Sequence, residues 1–333
     1  MLRMGRQEYG LPSLTFLYPV YAEVTESIVF FKQLSDQSDF HSAWLRTGSN
    51  TDLEGSGTPS ADFFTTVYNK KFNNSKLVLW GNIGRIGRRS VGHEAGHNLG
   101  LIGTYNFKNT DGYMMAYWAG ISFENRTFDP LRITSDFFYS ANNEHGAVAR
   151  KGWYSALGLF YDTEHALLFS RGWYSSGDKG DEQSSNRYLN MYGLSMFDGS
   201  DLVYKGNDLF NVGIGNPSAA GSWGIQTGLQ NLSFFDNLKH RIAVTVTKGT
   251  NHVERAAKGK NPQFESVILG PGWYLTTSDT VVDTSFYTTY TPYKNLTLHC
   301  LLSYATFDLS KKAWGNVYYD DAFRGIFGFT YNF

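Results

Sequence analysis

The sequence predicts an all-β chain, folded as a transmembrane antiparallel β-barrel. Three observations carry that expectation. Apolar residues recur at every second position through stretches of roughly eight to eleven residues, enough to cross a hydrocarbon layer when tilted. No apolar run approaches the ~20 residues of a membrane helix. Aromatic residues make up 17% of the chain, and many sit beside candidate strand ends, where interfacial girdles would place them. A soluble β-rich protein is the alternative these observations leave open.

The chain has 333 residues and a formal net charge of −1. That balance argues against nonspecific nucleic-acid binding. A single cysteine, Cys300, excludes an internal disulfide and any cysteine-rich metal cluster.

The strands follow in chain order. KLVLWGNIG sets Leu77, Leu79, Gly81 and Ile83 on one face. LGLIGTYNF does the same with Leu99, Leu101, Gly103, Tyr105 and Phe107, and LRITSDFFY with Leu131, Ile133, Ser135, Phe137 and Tyr139. WGIQTGLQN places Trp223, Ile225, Thr227 and Leu229 opposite Gly224, Gln226, Gly228 and Gln230. RIAVTVTKG opposes Ile242, Val244 and Val246 to Ala243, Thr245 and Thr247. FYTTYTPY opposes Phe286, Thr288 and Tyr290 to Tyr287 and Thr289. NLTLHCLLSY opposes Leu296, Leu298, Cys300, Leu302 and Tyr304 to Thr297, His299, Leu301 and Ser303. The chain ends on RGIFGFTYNF, with Phe327, Phe329, Tyr331 and Phe333 in one phase. Side chains alternate faces along a strand, so each pattern implies one apolar and one polar or small face. The count comes to roughly eleven to fourteen strands.

Connections are of two sizes. KNTDG (108–112) and the stretch 291–294 are tight, whereas 49–62, 175–187 and 247–263 are long and polar. Long loops on one rim and short turns on the other suit a barrel. The pairs Trp153/Tyr154, Trp173/Tyr174, Trp273/Tyr274 and Tyr318/Tyr319 are candidates for its two aromatic girdles.

One stretch points elsewhere. HEAGH (93–97) carries the zinc-protease spacing, in which His93 and His97 share one helical face and Glu94 polarises a metal-bound water. Gly92, Gly96, Gly100 and Gly103 would each cost a helix about 1 kcal/mol. Gly103 falls where a third histidine ligand would stand and has no side chain to bind metal. HEAGH is therefore read as a coincidental motif in a polar connection. No metal, cofactor or catalysis is expected.

Several segments resemble the homotrimeric outer-membrane porins of sulfate-reducing, Desulfovibrio-like bacteria. GRQEYGLPS (5–13), FDPLRITSDFFYS (128–140), LLFSRGWYSSGDKGDEQSSNRY (167–188), 221–252, 274–316 and GIFGFTYNF (325–333) carry the likeness. The resemblance implies about sixteen strands in the full-length form and a homotrimer in the bacterial outer membrane. It implies contact with outer-membrane lipids and the barrel assembly machinery. It also implies a C-terminal assembly signal, here Phe329, Tyr331 and Phe333. MLRMGRQEYG lacks the apolar core of a signal peptide. Residues 1–333 are thus expected to be a single barrel domain missing its first strands and leader, with 14–61 as candidate constriction segment.

The function expected on that basis is passive diffusion of ions and small hydrophilic solutes. Arg85, Arg88, Arg89, Arg132, Lys239, Arg241, His299 and Arg324 are the candidate lining or rim residues. A non-conducting surface barrel, acting as adhesin or receptor, is the alternative. A zinc protease is the outlier.

Overall fold

The computed structural model of the chain describes residues 1–10, 13–15, 17–18, 21–47, 61–87, 113–143, 149–179, 184–189, 196–197, 219–257, 274–315 and 320–332. HEAGH (93–97), the expected strand 99–107, Arg88, Arg89, Trp273, Tyr318, Tyr319 and Phe333 lie outside the described residues.

Strands dominate. In chain order they are β1 (Leu2–Gly10), β2 (Leu17–Tyr18), β3 (Tyr21–Ser35), β4 (Ser38–Thr47), β5 (Ala61–Phe72), β6 (Ser75–Gly87), β7 (Tyr113–Phe128), β8 (Leu131–Asn142) and β9 (Ala149–Asp162). They continue as β10 (Leu167–Ser175), β11 (Ser184–Ser185), β12 (Met196–Phe197), β13 (Ser222–Leu232), β14 (Leu238–Gly249), β15 (Thr280–Tyr293), β16 (Leu296–Asp308) and β17 (Asp321–Tyr331). Two short helices, α1 (Val253–Ala257) and α2 (Lys311–Trp314), lie among the connections. The β3–β4 hairpin occupies much of the stretch 14–61 marked as a candidate constriction.

One sheet runs β1-β3-β4-β5-β6-β7-β8-β9-β10-β13-β14-β15-β16-β17. Every neighbour on that path is antiparallel. Turns at one end are tight, as between Phe72 and Ser75 and between Tyr293 and Leu296. Asparagine supplies the left-handed backbone at that end, at Asn73 (φ 37°), Asn231 (φ 57°) and Asn237 (φ 65°). Its short polar side chain makes that conformation tolerable. The opposite end, the loop end, carries the longer connections.

Burial alternates along the strands. β10 and β13 each switch between buried and exposed at every step through most of their length. One apolar cluster gathers Ala43 and Leu45 from β4, Trp118 from β7, Tyr154 from β9, Val281 from β15 and Ala305 from β16. Strands far apart in the order share that core, so the sheet curls around its inner face.

The sheet nevertheless does not close. Among the described residues no ladder joins β1 to β17, and the path has two ends. This corrects the expectation of a transmembrane β-barrel. A channel wall must be continuous, since an open edge exposes unpaired backbone groups. The inner face is also occupied by the chain's own segments: Tyr188 and Leu189 are 1% exposed and sit in the same core. The porin reading, with passive passage of ions and solutes through a lined lumen, therefore has no structural basis here. The non-conducting barrel fails on the same point of closure. No described helix is long and apolar enough to cross a membrane; this has no bearing on strands.

The segment 184–189 lies tight against β9. A Cβ placed on Gly152 would come 2.3 Å from the Tyr188 nitrogen and 2.5 Å from the Asn186 oxygen. The Trp118 indole donates to Leu189 O (2.8 Å), and Leu189 N donates to Ser140 Oγ (2.8 Å). Gly152→Val should lift this segment from the sheet and destabilise the fold by about 1–3 kcal/mol, the usual range for overpacking. Limited proteolysis should then cut within 184–189 in the variant and spare it in the parent protein.

Candidate functional site: two polar centres on the inner face

A sheet face buried against its own chain needs partners for most of the polar groups it carries. Two clusters supply many of them. The first lies at mid-sheet. Asp136 occupies an inward position of β8, between Ser135 and Phe137. Its carboxylate accepts from the backbone N–H of Leu14 (3.0 Å) and Thr15 (2.7 Å) and from Ser13 Oγ (3.2 Å). The Thr15 and Thr134 hydroxyls meet at 3.0 Å. From β10, Arg171 donates to Thr15 O (3.2 Å) and to the Gln226 amide oxygen. Gln226 passes the network on to Thr245 (3.2 Å). Residues 13–15 are thereby held by a carboxylate and by a guanidinium, both buried. Charge-assisted bonds of this kind are the stronger class.

The second cluster forms at the loop end. The Asp178 carboxylate accepts from Ser185 Oγ, Asn186 N (3.2 Å) and Tyr274 OH (2.9 Å), and Arg255 stands 3.6 Å away. Asn251 ties three segments together: its Oδ1 accepts from Asp178 N (2.9 Å), and its Nδ2 donates to Gly221 O (3.1 Å) and Leu275 O (2.7 Å). Nearby, Asp279 accepts from Thr276 N (2.6 Å), Ser310 N (2.7 Å) and the Trp314 indole (2.9 Å), which fastens α2 to the rim. Burial acts to raise the Asp178 carboxyl. Arg187, Arg255 and Arg150, with the Ser185 hydroxyl, outweigh it and hold the group below the usual carboxylate range. Burial, then the Asp178 charge, pushes the Tyr274 phenol well above its ordinary value.

Both centres are clamps. Each joins inward or connecting segments to the sheet, and among the described residues no group of three or more His, Cys, Asp or Glu side chains could hold a metal ion.

The residues singled out in the sequence do not gather at either centre. Arg85 is exposed towards the loop end of β6, and Lys239 is exposed near the turn end of β14. Arg132 packs over the Phe160 ring (4.2 Å) and lies 3.6 Å from Glu124. Arg241 lies 5.8 Å from the Phe169 ring. Phe160 and Phe169 are cross-strand partners, so Arg132 and Arg241 flank one small aromatic cluster. His299 bridges Tyr287 OH (2.8 Å) and Thr330 Oγ1 (3.1 Å). Arg324 lies on β17, opposite Ser303. Phe329 and Tyr331 are exposed on the outward side of that strand.

The clamp residues were missed although part of their signal is in the sequence. Asp136, Arg171 and Gln226 are charged or amide residues in the inward phase of otherwise aromatic or apolar strands. Such residues are too costly to bury without partners. Asp178 and Arg187 stand in a polar connection, where nothing local separates a clamp from a solvated charge.

No protein-family model matches the chain, and no curated protein matches it. Among solved structures it is similar to a Pseudomonas aeruginosa FadL homologue, at 8% identity and a TM-score of 0.33, over 98% of this chain and 84% of that one. It is also similar to LpxR from Salmonella typhimurium, at 14% identity and a TM-score of 0.20, over 93% of this chain and 89% of that one. Likeness this slight carries no argument about fold or function. The resemblance to homotrimeric porins gains no support from these comparisons.

Replacing Asp178 with asparagine should destabilise the protein by about 3–5 kcal/mol, because it leaves buried guanidinium groups facing a neutral side chain. The stabilising charge is complete above the ordinary aspartate value near 3.9. It declines as pH falls below that value and is gone below the lower folded value. Thermal denaturation between pH 7 and pH 2 should show this acid-side loss in the parent protein and a flatter profile in Asp178→Asn.

Proposed function

We propose that the protein is a lipid-seated sheet protein. Its outer face lies in hydrocarbon, its inner face is held shut by its own segments, and its loop-end assembly is carried at the membrane surface. In this reading the role is structural or display, without catalysis. A bacterial outer membrane, where strand-built proteins reside, is the setting that fits.

The observation that carries the reading is the layering of the outer face. Towards the loop end, Tyr139, Trp153, Tyr174 and Trp223 stand outward on β8, β9, β10 and β13, and the Trp153 and Tyr174 rings stack at 4.9 Å. The middle of β9, β13 and β14 is aliphatic: Leu157, Ile225 and Val246 are all exposed. Towards the turns, Phe72, Phe128, Tyr161 and Tyr293 return to aromatic character. From Trp153 to Tyr161 along β9 is about 27 Å at ~3.4 Å per residue. At a tilt near 40° that is about 21 Å of depth, close to the ~25 Å apolar band of strand-built membrane proteins. A water-facing sheet would expose polar residues at these positions.

The reading assigns hydrocarbon contact to the strands of the main sheet from β5 to β16. It leaves the open edges of β1 and β17 to water or protein, because hydrocarbon does not tolerate unpaired backbone groups.

Tryptophan quenching tests it. In vesicles of lipid brominated along the acyl chain, a variant retaining only Trp153 or only Trp223 should lose most of its emission. A variant retaining only the inward Trp173 should keep it. Equal emission from all three variants would rule out the outer face as the hydrocarbon surface.

A further inference from the structure

The outer face is not uniformly bulky. One cross-strand row reads Leu159–Ser170–Thr227–Val244, through the pairings Ser170↔Leu159, Ser170↔Thr227 and Thr227↔Val244. The next row towards the turns reads Tyr161–Leu168–Leu229–Ile242. On the loop side, Leu157, Gly172 and Ile225 follow. Small side chains at Ser170 and Thr227 thus form a floor between large ones. The result is a groove of about 520 Å³ that reaches from Leu131 on β8 to Val244 on β14. No charged side chain lines it. The Thr227 hydroxyl is already spent on Phe169 O (3.1 Å).

We propose that this groove seats a single lipid acyl chain, held against β9, β10 and β13 in preference to the rest of the outer wall. The inference rests on the reading that the outer face lies in hydrocarbon, and it goes further by naming one place on that face and its occupant. Three features select a hydrocarbon tail. The groove is continuous with the aliphatic middle of the apolar band, so hydrocarbon is what surrounds it. Five strands at ~4.8 Å spacing make it about 19 Å long, whereas its floor is only small side chains wide, the shape of an extended chain. A second copy of the protein is disfavoured by size, because a stable protein interface needs at least about 1,000 Å² and the groove offers a fraction of that. An acyl chain that fills it exchanges poor contacts with disordered lipid for close contacts along its length, which is where dispersion energy accumulates.

The test uses the full chain in phosphatidylcholine nanodiscs doped with a phosphatidylcholine that carries a photoreactive diazirine in its acyl tail. Labelled positions are read by peptide mass spectrometry. Labelling concentrated on Leu159, Leu168, Leu229 and Ile242, and lost to the level of the Leu79–Ile121 surface in both Ser170→Trp and Thr227→Trp, is the expected result. Thr227→Leu fills the floor more gently and should reduce the focal labelling in the same direction if the tryptophan variants misfold. Even labelling over the whole outer face would overturn the seat while leaving hydrocarbon contact intact. Absence of labelling anywhere on that face would overturn both. Disulfide formation between copies of a Ser170→Cys, Cys300→Ser variant, with no focal lipid labelling, would give the groove to a second copy and overturn the acyl chain.

Discussion

Adjacent residues of a strand must face opposite ways, and in this protein the two ways lead to different surroundings. The antiparallel ladder from β1 to β17 fixes which positions turn inward. Register errors of one residue would exchange the faces everywhere at once. That constraint explains why Trp153 stands outward while Tyr154 is fully buried, and why Trp173 is buried while Tyr174 is exposed. A Trp-Tyr pair cannot place both rings in one girdle. It supplies one ring to the outer row and one to the inner core.

The inner face is where polar chemistry is costly, and it is where carboxylates and amides tie distant segments together. Asp136 holds residues 13–15, Asp178 holds Ser185, Asn186 and Tyr274, and Asn251 joins three loop-end segments. Each clamp couples sequence-distant pieces, so the inward segments are fixed by the sheet that they cover. Removal of one partner leaves a buried charge facing apolar neighbours, a far larger penalty than the loss of a surface pair. The exposed Lys312–Glu254 pair (3.1 Å) between the two short helices belongs to the weaker kind.

Much of the sheet was legible because period two is local. The phases read for 223–229, 286–290 and 296–304 are the phases of β13, β15 and β16. Closure was not legible. Whether β17 meets β1 depends on strands at opposite ends of the chain, and no stretch of sequence records curvature or the pairing of edges. Strand length and aromatic ends were read as evidence of a barrel, but they report only a sheet with one apolar face. The basic residues drew attention as channel lining because they are charged and near strands. Arg132 and Arg241 lie beside aromatic rings, a placement that charge in a single sequence does not record. The clamps were half visible: an aspartate in the inward phase of β8 signals a partner, but its identity, backbone 122 residues away at Leu14, is a tertiary fact.

The most direct measurement of the two-faced sheet is spin-label accessibility along β9 in lipid vesicles, with one label at a time from position 153 to 161. The account predicts a period of two: labels at 153, 157, 159 and 161 collide with oxygen dissolved in the bilayer, and labels at 154, 156 and 160 are shielded from both oxygen and a water-soluble nickel chelate. High collision with the nickel chelate at the outward positions, or at the inward ones, would contradict it.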